Sequence, residues 1–228
     1  MEYCKPLILD GAFTEKHLQL LQWAKKQKKL LGICTVAGEV PVSLATKIAL
    51  HAGVRVYVGC PRPLVRTLSQ KPSGVIPYNI DKDTESTHCV EFLINTFQNT
   101  ESKIVYIAVG PLTNLALALR ICPEISAKCE KVILISGPPS GNQNFRCAED
   151  ILRLDPEAAQ IVLSSGIHID LVKISQEYIS IIENCINDSE FAGYTFEANI
   201  CLDQGNGAGA VLRNYNVDSE GNFTVYNT

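Results

Sequence analysis

Charged residues are scarce in this sequence, and neither sign dominates. They make up 19% of the 228 residues, with 20 lysines and arginines against 24 aspartates and glutamates and a formal net charge of −4. A disordered chain or an acidic tail would carry more charge and fewer apolar residues than the 46% found here. The densest basic run, residues 25–29, has no aromatic residue among its cations, so a nucleic-acid-binding surface is not indicated.

The sequence also lacks the features of membrane and secreted proteins. Its longest apolar run, around residues 104–119, is broken by Gly110-Pro111 and does not reach the length of a membrane span. No leader of basic residues followed by an apolar stretch opens the chain. The nine cysteines contain no CxxC pair and no metal-type spacing, and their number is odd. We therefore expect a cytoplasmic protein with reduced thiols that binds neither membranes nor nucleic acids.

Short apolar runs alternate with helical patterns along most of the chain. The runs predict strands over residues 7–9, 31–36, 54–58, 104–109, 132–136 and 167–174. Helices are predicted over 14–28, 42–51, 85–97 and 115–121, and another begins at Asp155-Pro156-Glu157. Residues 66–82 and 137–142 are predicted as loops. This order is typical of an α/β fold with a largely parallel central sheet and helices on both faces.

The carboxyl ends of the predicted strands carry the residues on which chemistry is most expected. In sheets of this kind, the loops that leave those ends form the ligand crevice. Asp10 ends the first strand, Gly38-Glu39 follow the second, and residues 110–114 and 141–149 follow later strands. Asp10 stands alone at a place where a catalytic site would gather several carboxylates.

Several motifs, in a fixed order, resemble the nucleoside hydrolases of the inosine-uridine-preferring type. They are residues 7–14 (LILDGAFT), 35–38 (TVAG), 59–65 (GCPRPLV), 109–116 (VGPLTNLA), 140–142 (SGN), 148–149 (AE) and 154–159 (LDPEAA). The resemblance covers about residues 5–175 and implies one nucleoside-hydrolase-like domain over 1–228, with a shortened tail over 190–228. It implies hydrolysis of the N-glycosidic bond of ribonucleosides with a bound calcium ion, and a homo-oligomer.

The calcium ligands that this resemblance implies are only partly present. Asp10 matches the first aspartate of the family's run, but the aspartate that binds calcium and acts as the base falls on Ala12. The adjacent aspartate pair falls on Lys16 and His17. Thr113 matches a carbonyl ligand, and Asp203 is the match for a late aspartate, with Leu202 in place of a histidine. We therefore interpret Asp10, Thr113 and Asp203 as a degenerate metal site.

The sugar-binding positions implied by the resemblance are mixed as well. Asn142 and Glu149 keep the family's residue types, whereas Glu39 replaces an asparagine and Ile151 replaces another. Asn142, Glu149 and Glu39 are the candidate ribose-binding residues.

Two functional hypotheses remain open at this point. The first is a divergent enzyme that still cleaves ribonucleosides, with another acid such as Glu39 as the general base. The second is a non-catalytic relative that binds a nucleoside or ribose, or serves as an oligomer subunit. Without a base at residue 12, a contribution of about 10²–10⁴-fold to the rate is missing, which favours weak or lost hydrolysis. Lys16 either pairs with Asp10 in the vacated ion position or is an ordinary solvated residue, and we favour the second.

Overall fold

Most of the first 190 residues are described by the computed structural model. It describes residues 5–65, 67, 83–136, 154–173, 178–187, 215–217 and 223–225. The strands are β1 (Leu7–Gly11), β2 (Leu30–Thr35), β3 (Val56–Val58), β4 (Ile104–Val109), β5 (Cys129–Ser136), β6 (Ile169–Lys173), β7 (Tyr215–Val217) and β8 (Phe223–Val225). The helices are α1 (Leu18–Lys25), α2 (Val42–Leu50), α3 (Cys89–Asn99), α4 (Thr113–Ile121), α5 (Pro156–Leu163) and α6 (Tyr178–Asn187).

Six of the strands form one sheet, and every pair in it is parallel. The strand order is β3-β2-β1-β4-β5-β6, so β1 and β4 lie at its centre. Between β1 and β4 the order reverses direction, and that is where ligands bind in open sheets of this type. The predicted α/β fold with a largely parallel sheet is confirmed. A separate antiparallel pair joins β7 to β8.

Helices cover both faces of this sheet, as the apolar runs predict. Leu7 and Leu9 on β1 pack in a cluster with α1, α2 and α6. Ile8 points to the other face, where a second cluster includes residues of α3, α4 and α5. Successive side chains of a strand alternate between faces, so Asp10 shares the α3–α5 face with Ile8. None of the helices in the described residues is long and apolar enough to cross a membrane.

Several element bounds differ from their predictions, whereas the start of α5 agrees with its prediction. The segment after Thr14 begins as a 3-10 turn over Glu15–His17, and α1 then ends at Lys25 rather than near Lys28. The predicted start of α5 is confirmed, because the Asp155 side chain accepts from the Ala158 amide at 3.1 Å with Pro156 next in the chain. The predicted loop over 66–82 lies outside the described residues except for residue 67, and the loop over 137–142 lies wholly outside them.

Candidate functional site

Asp10 lies inside the sheet rather than in a loop beyond it. The predicted first strand ends at Leu9, but β1 continues to Gly11 and pairs with neighbours on both sides. Asp10 is opposite Cys34 of β2 and Ala108 of β4, and only 2% of its surface is exposed. An acid in this position needs hydrogen-bond donors from the protein, because water does not reach it.

Two side chains donate to the Asp10 carboxylate. The Tyr106 hydroxyl of β4 donates to Oδ2, and Nδ2 of Asn114 lies 3.0 Å from each carboxylate oxygen. Burial raises the pKa of Asp10 to about 6, although the hydrogen bonds from Tyr106 and Asn114 oppose that shift. Burial, with the Asp10 charge beside it, also raises the pKa of Tyr106 well above its ordinary value. Tyr106 therefore acts as a donor.

Asn114 connects several strand ends through one carboxamide. It is the second residue of α4 and is fully buried. Besides its bonds to Asp10, its Nδ2 donates to the Thr35 carbonyl at 3.0 Å, and its Oδ1 accepts from the Cys60 amide at 2.9 Å. The side chain thereby joins the start of α4 to β1, to β2 and to the turn after β3.

Thr113 is linked to the segment after β3 through Asp155. Its hydroxyl donates to Oδ2 of Asp155 at 2.6 Å, and the Leu64 amide donates to the same oxygen at 3.0 Å. Burial raises the pKa of Asp155, and the hydrogen bond from Thr113 opposes that shift. The threonine that the resemblance assigns to a metal-binding carbonyl thus has a structural role through its side chain.

The loops that leave β1, β2 and β4 meet around Ala12. Only 5% of Ala12 is exposed. A Cβ atom added to Gly38 would lie 2.6 Å from the Ala12 Cβ, and one added to Gly110 would lie 2.5 Å from the Ala12 backbone nitrogen. The two glycines permit this close approach, and the methyl group of Ala12 occupies the space between them.

Lys16 and His17 follow on the 3-10 turn. Lys16 is exposed, as expected for a solvated residue. The Thr14 amide donates to Nδ1 of His17 at 3.0 Å, so this ring nitrogen caps the turn. Burial lowers the pKa of His17 to about 4, with a further contribution from the neighbouring Lys16 charge.

The remaining predicted site residues fall into two groups. Glu39 is exposed in the loop that follows β2. Asn142, Glu149 and Asp203 lie outside the described residues. Within the described part of the chain, no group of three or more His, Cys, Asp or Glu side chains is arranged to hold a metal ion.

Sequence reasoning missed two residues that organise this region, Tyr106 and Asn114, and it missed the bonds that Asp155 accepts from Thr113 and Leu64. A tyrosine inside the apolar run 104–109 was an available signal, since a buried hydroxyl usually has a partner. The contacts of Asn114 and Asp155 join residues 42 to 104 positions apart, and no local pattern predicts them.

Comparison with known proteins gives consistent matches. The family model for inosine-uridine preferring nucleoside hydrolases matches residues 15–205. The chain is 38% identical over 183 residues to an uncharacterized protein of Schizosaccharomyces pombe, covering 72% of this chain and 57% of that protein. It is 34% identical over 159 residues to the pyrimidine-specific ribonucleoside hydrolase RihB of Escherichia coli O157:H7, covering 60% of this chain and 49% of RihB. The chain thus spans about half the length of the curated relatives it matches.

Solved structures give the same result for the fold. The plant nucleoside hydrolase PpNRh1 superposes with a TM-score of 0.64 at 26% identity, covering 75% of this chain and 60% of that one. The purine-preferring ribonucleoside hydrolase from Gardnerella vaginalis gives a TM-score of 0.63 at 25% identity, covering 74% and 60%.

Proposed function

The chain belongs to the inosine-uridine preferring nucleoside hydrolase family, and from that premise we propose that it binds ribonucleosides through their ribose at the carboxyl edge of the sheet, with calcium-dependent hydrolysis weak or lost. The observation that carries this proposal is the end of β1. Ala12 places a methyl group there, and Asp10 is enclosed by Tyr106 and Asn114. Neither residue offers a water molecule an accessible carboxylate base.

A calcium ion is poorly matched by the residues around this strand end. Calcium takes six to eight oxygen ligands, most of them carboxylates. The two oxygens of Asp10 already accept hydrogen bonds, Ala12 has no oxygen in its side chain, and Lys16 carries a positive charge. The Nδ1 atom of His17 is engaged by Thr14. These features support weak calcium binding, in the millimolar range or above.

Ribose recognition is supported by residues that do not depend on calcium. Glu39 is exposed on the loop after β2, where its carboxylate is free to accept hydrogen bonds from sugar hydroxyls. We propose Asn142 and Glu149 as its partners. No preference between nucleobases is proposed, because the named relatives include a pyrimidine-specific and a purine-preferring hydrolase. Binding should be measured for both classes of nucleoside.

A second candidate, slow hydrolysis, is supported by the position of Glu39. Its neighbour Gly38 lies against Ala12, so the Glu39 backbone is close to the place that the family's base would occupy. An exposed carboxylate there could take a proton from a water molecule that attacks the anomeric carbon as the N-glycosidic bond breaks and the nucleobase leaves. This reaction would be independent of calcium.

The test combines calorimetry with a reducing-sugar assay on the purified chain. Calcium is first titrated into the chelator-treated chain. Inosine and uridine are then titrated in chelator and again with calcium present, and ribose release is followed under both conditions, with Escherichia coli RihB as the positive control. We expect ribonucleoside binding that calcium does not change, and no calcium-dependent release of ribose. Micromolar calcium binding with calcium-dependent release would overturn the loss of hydrolysis, and absence of binding would overturn ribose recognition.

Substitution of Glu39 separates the two candidates. Glu39→Gln keeps the size of the side chain and removes its charge, so we expect weaker ribonucleoside binding by about tenfold, since hydrogen bonds to a charged group are the stronger ones. Glu124→Gln is the matched control, because Glu124 is an exposed acid on the 3-10 turn before β5. If ribose release occurs in chelator and disappears in Glu39→Gln, slow hydrolysis replaces pure binding as the function.

A further inference from the structure

Asn114 forms hydrogen bonds through both the oxygen and the nitrogen of its carboxamide, in a buried position. Its nitrogen donates to Asp10 of β1 and to the main chain of Thr35 at the end of β2. Its oxygen accepts from the main chain of Cys60, two residues after β3. No described buried side-chain nitrogen or oxygen is left without a partner. Asn114 alone bonds groups of β1, of β2 and of the turn after β3.

The chain around Asn114 is shaped to receive this side chain. A Cβ atom added to Gly59 would lie 2.4 Å from the Asn114 oxygen, 2.5 Å from its nitrogen and 2.3 Å from the Thr35 carbonyl oxygen. The turn after β3 therefore approaches the carboxamide only because residue 59 has no side chain. A carboxylate at position 114 could not donate to the Thr35 carbonyl, and an apolar side chain could neither donate to that carbonyl nor accept from the Cys60 amide.

The segments held by Asn114 are those that carry the candidate ligand contacts. Glu39 lies four residues after Thr35, Ala12 lies two after Asp10, and Thr113 immediately precedes Asn114. A small change in the relative positions of these strand ends would displace the groups that meet the ribose.

We propose that Asn114 is the positioning residue of the ribonucleoside site, whose carboxamide holds the ends of β1, β2 and the turn after β3 in one arrangement with the start of α4. This inference rests on the proposed function, since the site that it positions is the proposed one. Asn114 acts through Glu39 and the neighbouring loops and is not assigned a contact with the sugar.

The variants for the test are Asn114→Ser and Gly59→Ala, with Thr46→Val as the control. Asn114→Ser removes the bridge, whereas Gly59→Ala keeps Asn114 and pushes against its carboxamide. Thr46 also makes a buried hydrogen bond to Thr35, with 2.9 Å between the two Oγ1 atoms, but this bond joins α2 to β2 alone and does not connect β1, β2 and the turn after β3. Thr46→Val therefore reproduces the loss of a buried bond at Thr35 without releasing the site.

Affinity is measured by calorimetry with inosine and uridine, at a temperature where circular dichroism shows every variant to be folded. We expect Asn114→Ser and Gly59→Ala to bind about tenfold more weakly, as one lost hydrogen bond allows, and Thr46→Val to bind within about twofold of the parent. A merely structural role would lower stability without changing the affinity of the folded protein. Unchanged affinity in both site variants, or an equal loss in Thr46→Val, would overturn the inference.

Amide hydrogen exchange gives a readout that needs no ligand. We expect the Cys60 amide to exchange at least about tenfold faster in Asn114→Ser than in the parent, because its acceptor is lost, and to keep its protection in Thr46→Val. If the parent chain binds no ribonucleoside, the proposed function fails, and exchange alone decides whether Asn114 holds these strand ends. Unchanged protection of Cys60 would then reject the positioning role.

Discussion

The carboxyl group of Asp10 lies between two neighbouring strands, with Tyr106 and Asn114 as its donors. Burial raises its pKa to about 6 from 3.8. The folded protein therefore favours the neutral carboxyl, so the stability that this group contributes is fully present below about pH 4. That stability is lost as the pH rises through about 6.

Asp10→Asn should remove this pH dependence. A shift of about two pKa units corresponds to roughly 3 kcal/mol, so the free energy of unfolding of the parent should fall by that order between pH 4 and 7, relative to the variant. Chemical denaturation at several pH values measures the difference.

Asp83→Asn is the control for that experiment, because Asp83 is exposed. Its stability should follow that of the parent across the same pH range. A parallel curve for Asp10→Asn and the parent would show that Asp10 does not titrate in this way.

His17 shows that a residue's type and position in the sequence do not by themselves make it a metal ligand. The family resemblance aligns it with a calcium-binding aspartate, but its Nδ1 accepts from the Thr14 amide and its ring packs edge-on to Phe13, with ring centres 6.2 Å apart. These contacts belong to the turn that leads into α1.

Among the helices, α5 has a start that the sequence predicts from local residue types alone. Asp155 caps it and Pro156 follows, so the start was predictable. The same carboxylate also accepts from Thr113 and from the Leu64 amide. One side chain thus connects α5, the first residue of α4 and the segment after β3.

Asp155→Ala should destabilise the protein by about 3 kcal/mol. Loss of the cap contributes about 1 kcal/mol, and the Thr113 hydroxyl and Leu64 amide lose their acceptor, at about 1 kcal/mol or more each. Gln160→Ala, at an exposed position of α5, should change stability by less than about 0.5 kcal/mol. Urea denaturation checks both variants. A loss below about 1 kcal/mol for Asp155→Ala would show that the three contacts do not each contribute to stability.

Over the molecule as a whole, the carboxyl ends and the amino ends of the parallel strands carry different groups. The candidate site lies at the carboxyl edge, whereas the ion pair between Lys131 and Asp170 lies near the amino ends of β5 and β6. Lys131 Nζ is 2.7 Å from Asp170 Oδ2, and both side chains are nearly inaccessible. The other Asp170 oxygen is 2.8 Å from His168 Nε2.

Lys131→Met should lower the free energy of unfolding by about 3–5 kcal/mol, because it leaves a buried charge without its partner. Affinity of the folded fraction for ribonucleosides should not change. Lys5→Met is the matched control, since Lys5 pairs with Glu130 at 3.0 Å in a partly exposed setting, and its loss should cost at most about 1 kcal/mol. Thermal and chemical denaturation measure both variants. Equal losses of unfolding free energy in Lys131→Met and Lys5→Met would contradict the expected effect of burial.

Sequence alone determined the fold class, most of the elements and the family resemblance, because apolar periodicity, the cap at Asp155 and the motifs around residues 109–116 are local patterns. It also showed that residue 12 is an alanine where the family has a base. Only the tertiary structure decided that Asp10 is enclosed, that Asn114 joins β1, β2 and the turn after β3, and that Thr113 bonds Asp155. Those contacts arise when distant segments meet at one edge of a parallel sheet, and burial there changes what each side chain can do.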